Sequence, residues 1–330
     1  MSPKEYSFPH RPRLIADVCE HEGTILIGSA DHEIIAADLS QEALARILRR
    51  FDGKTNIDEI LEEESALSRE DAAELIESLD CAGLIDDAAP VQYRPGSEVI
   101  LEIEDLIEDY CATTIYEDEF WRLCLSVREP GDLPEKLAIG MVIENWHFLF
   151  RESYFDAPVL SYVPNVSVRL LLNKFFSEEY GHDDILLRAL NFVGLTREDM
   201  HDAIPLPETM GLCNALAYWA HNDPLFFFTT LGLLEGQGMK HDSFIEACER
   251  SGLREEFVGP LRTHSNINIG AAHGNLTRLI FQQIPSLDLA TVARLKRQVR
   301  LFVELYDAFY TGVWRYYTSE GPLLRRVSEL

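Results

Sequence analysis

The rhythm of apolar and polar positions changes near residue 95. Before it, short β-type runs give way to three amphipathic helical stretches. Thr24-Ile-Leu-Ile-Gly28 and Glu33-Ile-Ile-Ala-Ala37 each follow polar turn residues, the pattern of hairpin strands. Ser40 stands where a helix N-cap belongs, ahead of Gln-Glu-Ala-Leu-Ala-Arg-Ile-Leu48, and that helix should stop near Asp52-Gly53. Asn56-Ile-Asp-Glu-Ile-Leu61 is a short acidic helix. Ser68 and Asp71 have capping-box spacing, in which each side chain serves the other's backbone N–H. The helix they open runs to Cys81, with Gly83 just past its end. Two strands followed by three helices resemble a winged-helix arrangement.

Residues 88–97 hold two prolines and a glycine and read as a linker. The expected division is therefore 1–95 and 96–330. Beyond it the helical period dominates. Val99 to Asp109 and Glu119 to Val127 are amphipathic, and Leu133 to Glu152 is a long helix with Leu137, Met141, Trp146 and Phe150 on its apolar face. Further helices are expected at Val166 to Ala189, Pro224 to Glu235, Ser243 to Gly252, Asn268 to Gln283 and Leu289 to Tyr317. No strand pattern appears after residue 100. The fold class is mainly α, a small β-and-helix module followed by an all-α bundle of the kind that buries sites between facing helices.

Charge narrows the partners. The 330 residues carry 56 Asp plus Glu against 29 Lys plus Arg, a net charge of −27. A nucleic-acid binder needs a cationic surface. Here the third helix carries Glu70, Asp71, Glu74 and Glu77 and would meet phosphate with like charge. No nucleic acid is expected, and an anionic lipid surface is disfavoured in the same way. No membrane span is expected, because no uncharged apolar run reaches about 18 residues. The first residues lack an apolar signal core, so a cytoplasmic location is expected. The six cysteines form no C-x-x-C pair, which argues against a zinc ribbon or redox dithiol.

The polar residues inside apolar helices carry the chemistry. Glu144-Asn-Trp-His147 puts a carboxylate and an imidazole on one helix face, three residues apart. Glu179-Tyr180-Gly-His182 repeats the spacing on the next long helix. Glu235 follows the very apolar Leu225 to Leu234, and His264 and His273 bracket Ser-Asn-Ile-Asn-Ile-Gly-Ala-Ala. A lone Glu-x-x-His is more often a surface pair. Several such residues on one bundle match the ligand inventory of a carboxylate-bridged di-iron or di-manganese site. Trp146, Tyr306 and Tyr310 are pocket or core aromatics, and Glu304 and Asp307 are weaker candidates on the last helix.

On these segments, together with Asp223-Pro-Leu, the second part resembles the heme-oxygenase-like helical superfamily. That superfamily includes pyrroloquinoline-quinone synthase (PqqC-like) and thiaminase-II groups, and the nearest likeness is to the heme-oxygenase-like di-iron oxidases. Residues 10–88 resemble the PqqD-like RiPP recognition element, through His10-Arg-Pro-Arg-Leu14, Leu39-Ser-Gln-Glu-Ala-Leu44, Phe51-Asp-Gly-Lys-Thr55 and Ala82-Gly-Leu-Ile85. The resemblance implies an oxidoreductase with non-heme iron, two ions, and dioxygen as co-substrate. Its ligands would be Glu179, His182, Glu235, His264 and His273, with Glu144, His147 and Tyr180 as catalytic candidates. It also implies a precursor or scaffold peptide as partner, docked by strand addition beside Glu33 to Ala37 and by the third helix; a homodimer is compatible with it.

The family's late helix reads His-x-x-x-Asp-x-x-His, and this chain departs from it. Counting from His264, Asn268 stands at the Asp position and Ala271 at the final His. Nine residues turn an α-helix by about 900°, which leaves His264 and His273 about 180° apart. Both could face one site only through a break or π-bulge, which Gly270 would permit. Two alternatives follow: a metal-free oxidase in which the histidines and Tyr180 move protons, and a non-catalytic peptide carrier. Thiaminase-type hydrolysis would need an activated Cys213, and nothing flanking it in sequence suggests activation.

Overall fold

The computed structural model describes residues 9–15, 18–21, 24–27, 40–64, 67–88, 93–162, 165–236, 242–271 and 275–329. They fall into two compact units, Met1–Val91 and Gln92–Leu330.

In the first unit β1 (Pro12–Leu14) is followed by the hairpin β2 (Val18–His21) and β3 (Thr24–Ile27), then α1 (Gln41–Arg50), α2 (Ile57–Glu63), α3 (Arg69–Cys81) and β4 (Ile85–Asp87). The hairpin is antiparallel, with Val18 opposite Ile27 and His21 opposite Thr24. β3 thus pairs with the segment before it, and the strand expected at Glu33 to Ala37 lies outside the described residues. β1 pairs antiparallel with β4, Pro12 opposite Asp87. The helix starts are capped as their sequences require. The Ser40 side chain accepts from the Ala43 N–H, Asn56 from Asp58, and Ser68 and Asp71 form the full capping box. Leu44, Ile47, Leu48, Ile60 and Ile76 make the core, and Arg46 clamps the Glu64 carboxylate with two hydrogen bonds of 2.7 and 2.8 Å.

The second unit is helical. It contains β5 (Tyr93–Arg94), α4 (Gly96–Cys111), α5 (Glu119–Ser126), α6 (Glu135–Phe150), α7 (Ser153–Val159), α8 (Val166–Glu179), α9 (His182–Phe192) and α10 (Arg197–Asp202). After these come α11 (Pro207–Asn222), α12 (Pro224–Leu234), α13 (Ser243–Arg250), α14 (Glu255–Ala271), α15 (Leu276–Gln282), β6 (Leu287–Asp288) and α16 (Leu289–Tyr317). β5 pairs with β6, so Tyr93 and Arg94 belong to this unit rather than to a free linker. α6 is buried on nearly every side from Leu137 to Ile143, the mark of a central helix. It packs against α9, α11 and α16.

The single helix expected from Val166 to Ala189 is two. Gly181 adopts φ +92°, a left-handed conformation that strains any residue with a Cβ, and the chain turns there. Glu179 is consequently the last residue of α8 and His182 the first of α9. They do not share a helix face; the turn brings them together.

α16 reaches α6 through the smallest residue available. A Cβ at Gly140 would collide with the Tyr317 ring, which lies directly on the α6 backbone. From there the Tyr317 hydroxyl donates to Glu144 Oε1 at 3.0 Å. Neither partner can retreat in a close-packed core, so Gly140→Ala is expected to lower stability by about 2–3 kcal/mol, the upper part of the range for overpacking. Chemical denaturation of the two proteins measures it.

Candidate metal centre

Three glutamates from separate helix ends converge. Glu152 stands at the start of α7, Glu179 ends α8, and Glu235 caps the C-terminus of α12. One carboxylate oxygen from each lies within 4.8 Å of the other two. His182 Nδ1 sits 2.7 Å from Glu179 Oε2, with both side chains 4% exposed. His264, on α14, meets the His182 ring edge-on at 4.9 Å between centroids. Asp156, one turn beyond Glu152, is also buried.

Two cavities meet at these residues. The smaller, about 70 Å³, is lined by Glu152, Glu179, Glu235, His264 and Tyr306 among others. The larger, about 310 Å³, shares Glu152 and Glu179 and is bordered by Asp156, Tyr180, Asp183 and Arg197.

Burial of so many carboxylates raises their proton affinity. Glu152 is pushed well above the usual carboxylate range by burial first, then by Asp156, Glu179 and Glu235. Asp156 is pushed up in the same way, by burial and then by Glu235 and Glu179. Like charges this close cannot all ionise unless a cation joins them. The donor set fits one: hard carboxylates with imidazoles suit iron or manganese.

The structure thus brings Glu179, His182, Glu235 and His264 to one place. Sequence reasoning missed Glu152 and Asp156. Their signal was present as two acids four residues apart within Leu149-Phe150-Arg151-Glu152-Ser153-Tyr154-Phe155-Asp156, just past the end of the long apolar helix α6. His273 lies outside the described residues. α14 is α-helical as far as Ala271, with no π-bulge at Gly270; a break, the other way to bring His264 and His273 to one side, would fall outside the described residues.

The catalytic candidates are placed differently from expectation. Glu144 is not part of the cluster: its Oε2 accepts from the Leu206 N–H at 3.0 Å and the Thr209 hydroxyl at 2.5 Å, and Oε1 accepts from Tyr317. Three donors make it a structural carboxylate joining α6, α11 and α16. His147 is buried beside Trp146 and His201, with Arg151 Nη1 3.0 Å from its Nδ1. Burial first, then the Arg151 charge, lowers its pKa to about 3, so it stays neutral rather than exchanging protons near neutral pH. Tyr180 is 91% exposed, on the border of the larger cavity. Trp146 stacks on Phe150 at 4.9 Å, whereas Tyr306 lines the smaller cavity. Glu304 is exposed and ion-paired with Arg300. Cys213 is buried, and burial lifts its thiol to about 12, which keeps it protonated and opposes a nucleophilic role.

No protein-family model and no curated relative matches the chain. Solved structures do resemble it. One is a domain of unknown function with a heme oxygenase-like fold from Shewanella denitrificans, at 15% identity and TM-score 0.51, covering 67% of this chain and 92% of that one. Another is a TenA homologue from Pseudomonas syringae pv. tomato, at 16% identity and TM-score 0.51, covering 65% and 92%. The fold is mainly α and heme oxygenase-like. Among the described residues, no helix is long and apolar enough to cross a membrane.

The raised carboxylates fix a pH dependence. Glu152, Asp156 and Glu144 hold their protons more tightly folded than unfolded, so deprotonation favours the unfolded chain. Stability of the metal-free protein should fall as pH rises from about 4, where unfolded carboxylates ionise, through the raised values. Glu152→Gln should raise the melting temperature of metal-free protein more at about pH 8 than at about pH 5. Calorimetry at the two pH values checks both.

Proposed function

We propose that this protein is a non-heme iron oxidase or oxygenase that uses dioxygen to modify a bound substrate. The observation that carries the reading is the convergence of Glu152, Glu179 and Glu235 with His182 and His264 in one partly enclosed site. These five residues would hold the metal. Two divalent ions need about four carboxylates for neutrality, and Asp156 supplies the fourth, close enough to feel Glu179 and Glu235. It offers the charge that Asn268 lacks.

Bound iron would supply the electrons that reduce dioxygen. The protein's own part is positioning and exclusion. Glu179 Oε2 and His182 Nδ1 lie 2.7 Å apart, so one ion could be reached by both side chains. Leu149, Phe148, Leu212 and Phe309 wall the smaller cavity with apolar surface and limit water there. The larger cavity reaches Glu152 and Glu179 and would give a substrate its approach.

The first unit is assigned peptide docking in this reading. Its support is an exposed acidic surface on α2 and α3, with Asp58, Glu59, Glu70 and Glu74, which suits a basic peptide. A fluorescent lysine-rich peptide titrated into the full-length protein should bind with a salt-sensitive affinity. No binding would remove the peptide and leave a small-molecule substrate.

The metal is tested directly. Protein loaded anaerobically with ferrous iron and desalted should retain it by elemental analysis and change absorbance when dioxygen is admitted. Glu152→Ala and Glu179→Ala should each weaken iron binding by at least about tenfold, while Glu144→Gln, outside the cluster, keeps it. Wild-type protein that retains no iron would sink the reading.

A further inference from the structure

The smaller cavity has one oxidisable wall. Tyr306 faces it from α16, beside Glu235 and His264. Four residues on, and so on the same helix face, Tyr310 packs against Tyr306 at 5.0 Å between ring centroids. The Tyr310 side chain is close enough to Tyr306 for each phenol to influence the proton of the other. Tyr310 in turn meets Trp121 of α5 edge-on, again at 5.0 Å. Trp121 is half-buried, unlike Tyr310, which is 5% exposed. Its indole Nε1 is buried without a hydrogen-bond partner. The surrounding rings, Phe120, Phe302 and Phe309, are not readily oxidised and pack around this line.

We propose that Tyr306, Tyr310 and Trp121 form a redox chain that carries oxidising equivalents out of the cavity when dioxygen is reduced there without substrate. This rests on the iron-dependent reading above. The three side chains that give up electrons most readily form an unbroken series of van der Waals contacts from the cavity wall to a half-exposed indole. Ordinary core packing would be served equally by phenylalanine at positions 306 and 310.

The step balances as follows. The oxidant would be dioxygen partly reduced by ferrous iron. Tyr306 gives it one electron together with the phenolic proton. Both phenols are neutral, with burial raising the proton affinity of each, so electron and proton leave together. Tyr310 returns one of each to Tyr306 across their contact. Trp121 restores Tyr310 with an electron and its Nε1 proton. The net change is one electron and one proton gained by the oxidant and one neutral indolyl radical on Trp121; each tyrosine ends as it began.

The experiment uses the full-length protein loaded with ferrous iron and mixed with dioxygen and a nitroso spin trap, without substrate. The trap bonds to a carbon radical and marks its residue for peptide mass spectrometry, while iron content and dioxygen uptake are measured on the same sample. Wild type should carry the adduct on Trp121. Tyr310→Phe should keep iron and dioxygen uptake but lose the Trp121 adduct, with any radical stopping at Tyr306. Iron retention and dioxygen uptake with no Trp121 adduct would overturn the chain alone. Equal labelling of Trp121 in wild type and Tyr310→Phe would also overturn it, since diffusing oxidant would then explain the mark. Absence of iron retention would overturn the functional reading and the chain with it.

Discussion

Crowded negative charge in a low-dielectric interior is the constraint around which the second unit is built. Glu152, Glu179 and Glu235 lie within 4.8 Å of one another, with Asp156 close behind. Their positions deepen the problem. Glu179 and Glu235 sit at the C-terminal ends of α8 and α12, where the helix dipole is negative. Two carboxylates at two negative helix ends are poorly placed for stability and well placed for a cation. A fold retains such an arrangement when something bound to it offsets the cost, which is why the cluster supports a metal more strongly than any one residue does.

Glu144 shows how the same protein handles a buried carboxylate that needs no ion. It lies on the central helix with 1% exposure, yet three donors surround it, from Leu206, Thr209 and Tyr317. Hydrogen bonds to the charged form offset part of its burial, although burial still dominates and holds its proton affinity up. The donors come from α16 and the start of α11, so the network also fixes the packing of these helices on α6. The two glutamate environments, separated by eight residues of chain, differ in kind: one is closed by protein donors, the other left open to a cavity.

Much of this was legible in the sequence where the determinants are local. The N-caps Ser40, Asn56 and Ser68 begin their helices as read, because a side-chain oxygen two or three residues from an unpaired N–H is a short-range signal. α16 has the ends its pattern announced, Leu289 and Tyr317. The signal failed where geometry is tertiary. Glu179 and His182 have the spacing of a helical pair, and only the left-handed turn at Gly181 shows that they meet across a break. α7, α10 and α11, short or following prolines, and the body of α14, which carries Pro260, have no counterpart among the expected helices, and the helix expected from Asn268 to Gln283 falls on the end of α14 and on α15. In the sequence Glu152 reads only as the end of a helix, since nothing in a single sequence states that residues 152, 179 and 235 share a cavity. His147 had the right spacing from Glu144, but its environment, Arg151 and aromatic rings, makes it a neutral core imidazole.

The net charge of −27 takes on a local meaning at the larger cavity. Its border includes Asp156, Asp183, Asp184, Glu152 and Glu179 against Arg197, which is ion-paired with Asp184. A concave surface lined by one sign of charge focuses its field and concentrates counter-ions. Dications would be drawn toward the glutamates by this path. Binding them would displace the protons that burial holds on Glu152 and Asp156, so part of the charge they bring would leave with those protons. Asp183 and Asp184 would keep their arginine partner throughout. The lining therefore favours cations over anions on the approach to the glutamates, whether these hold protons or a metal.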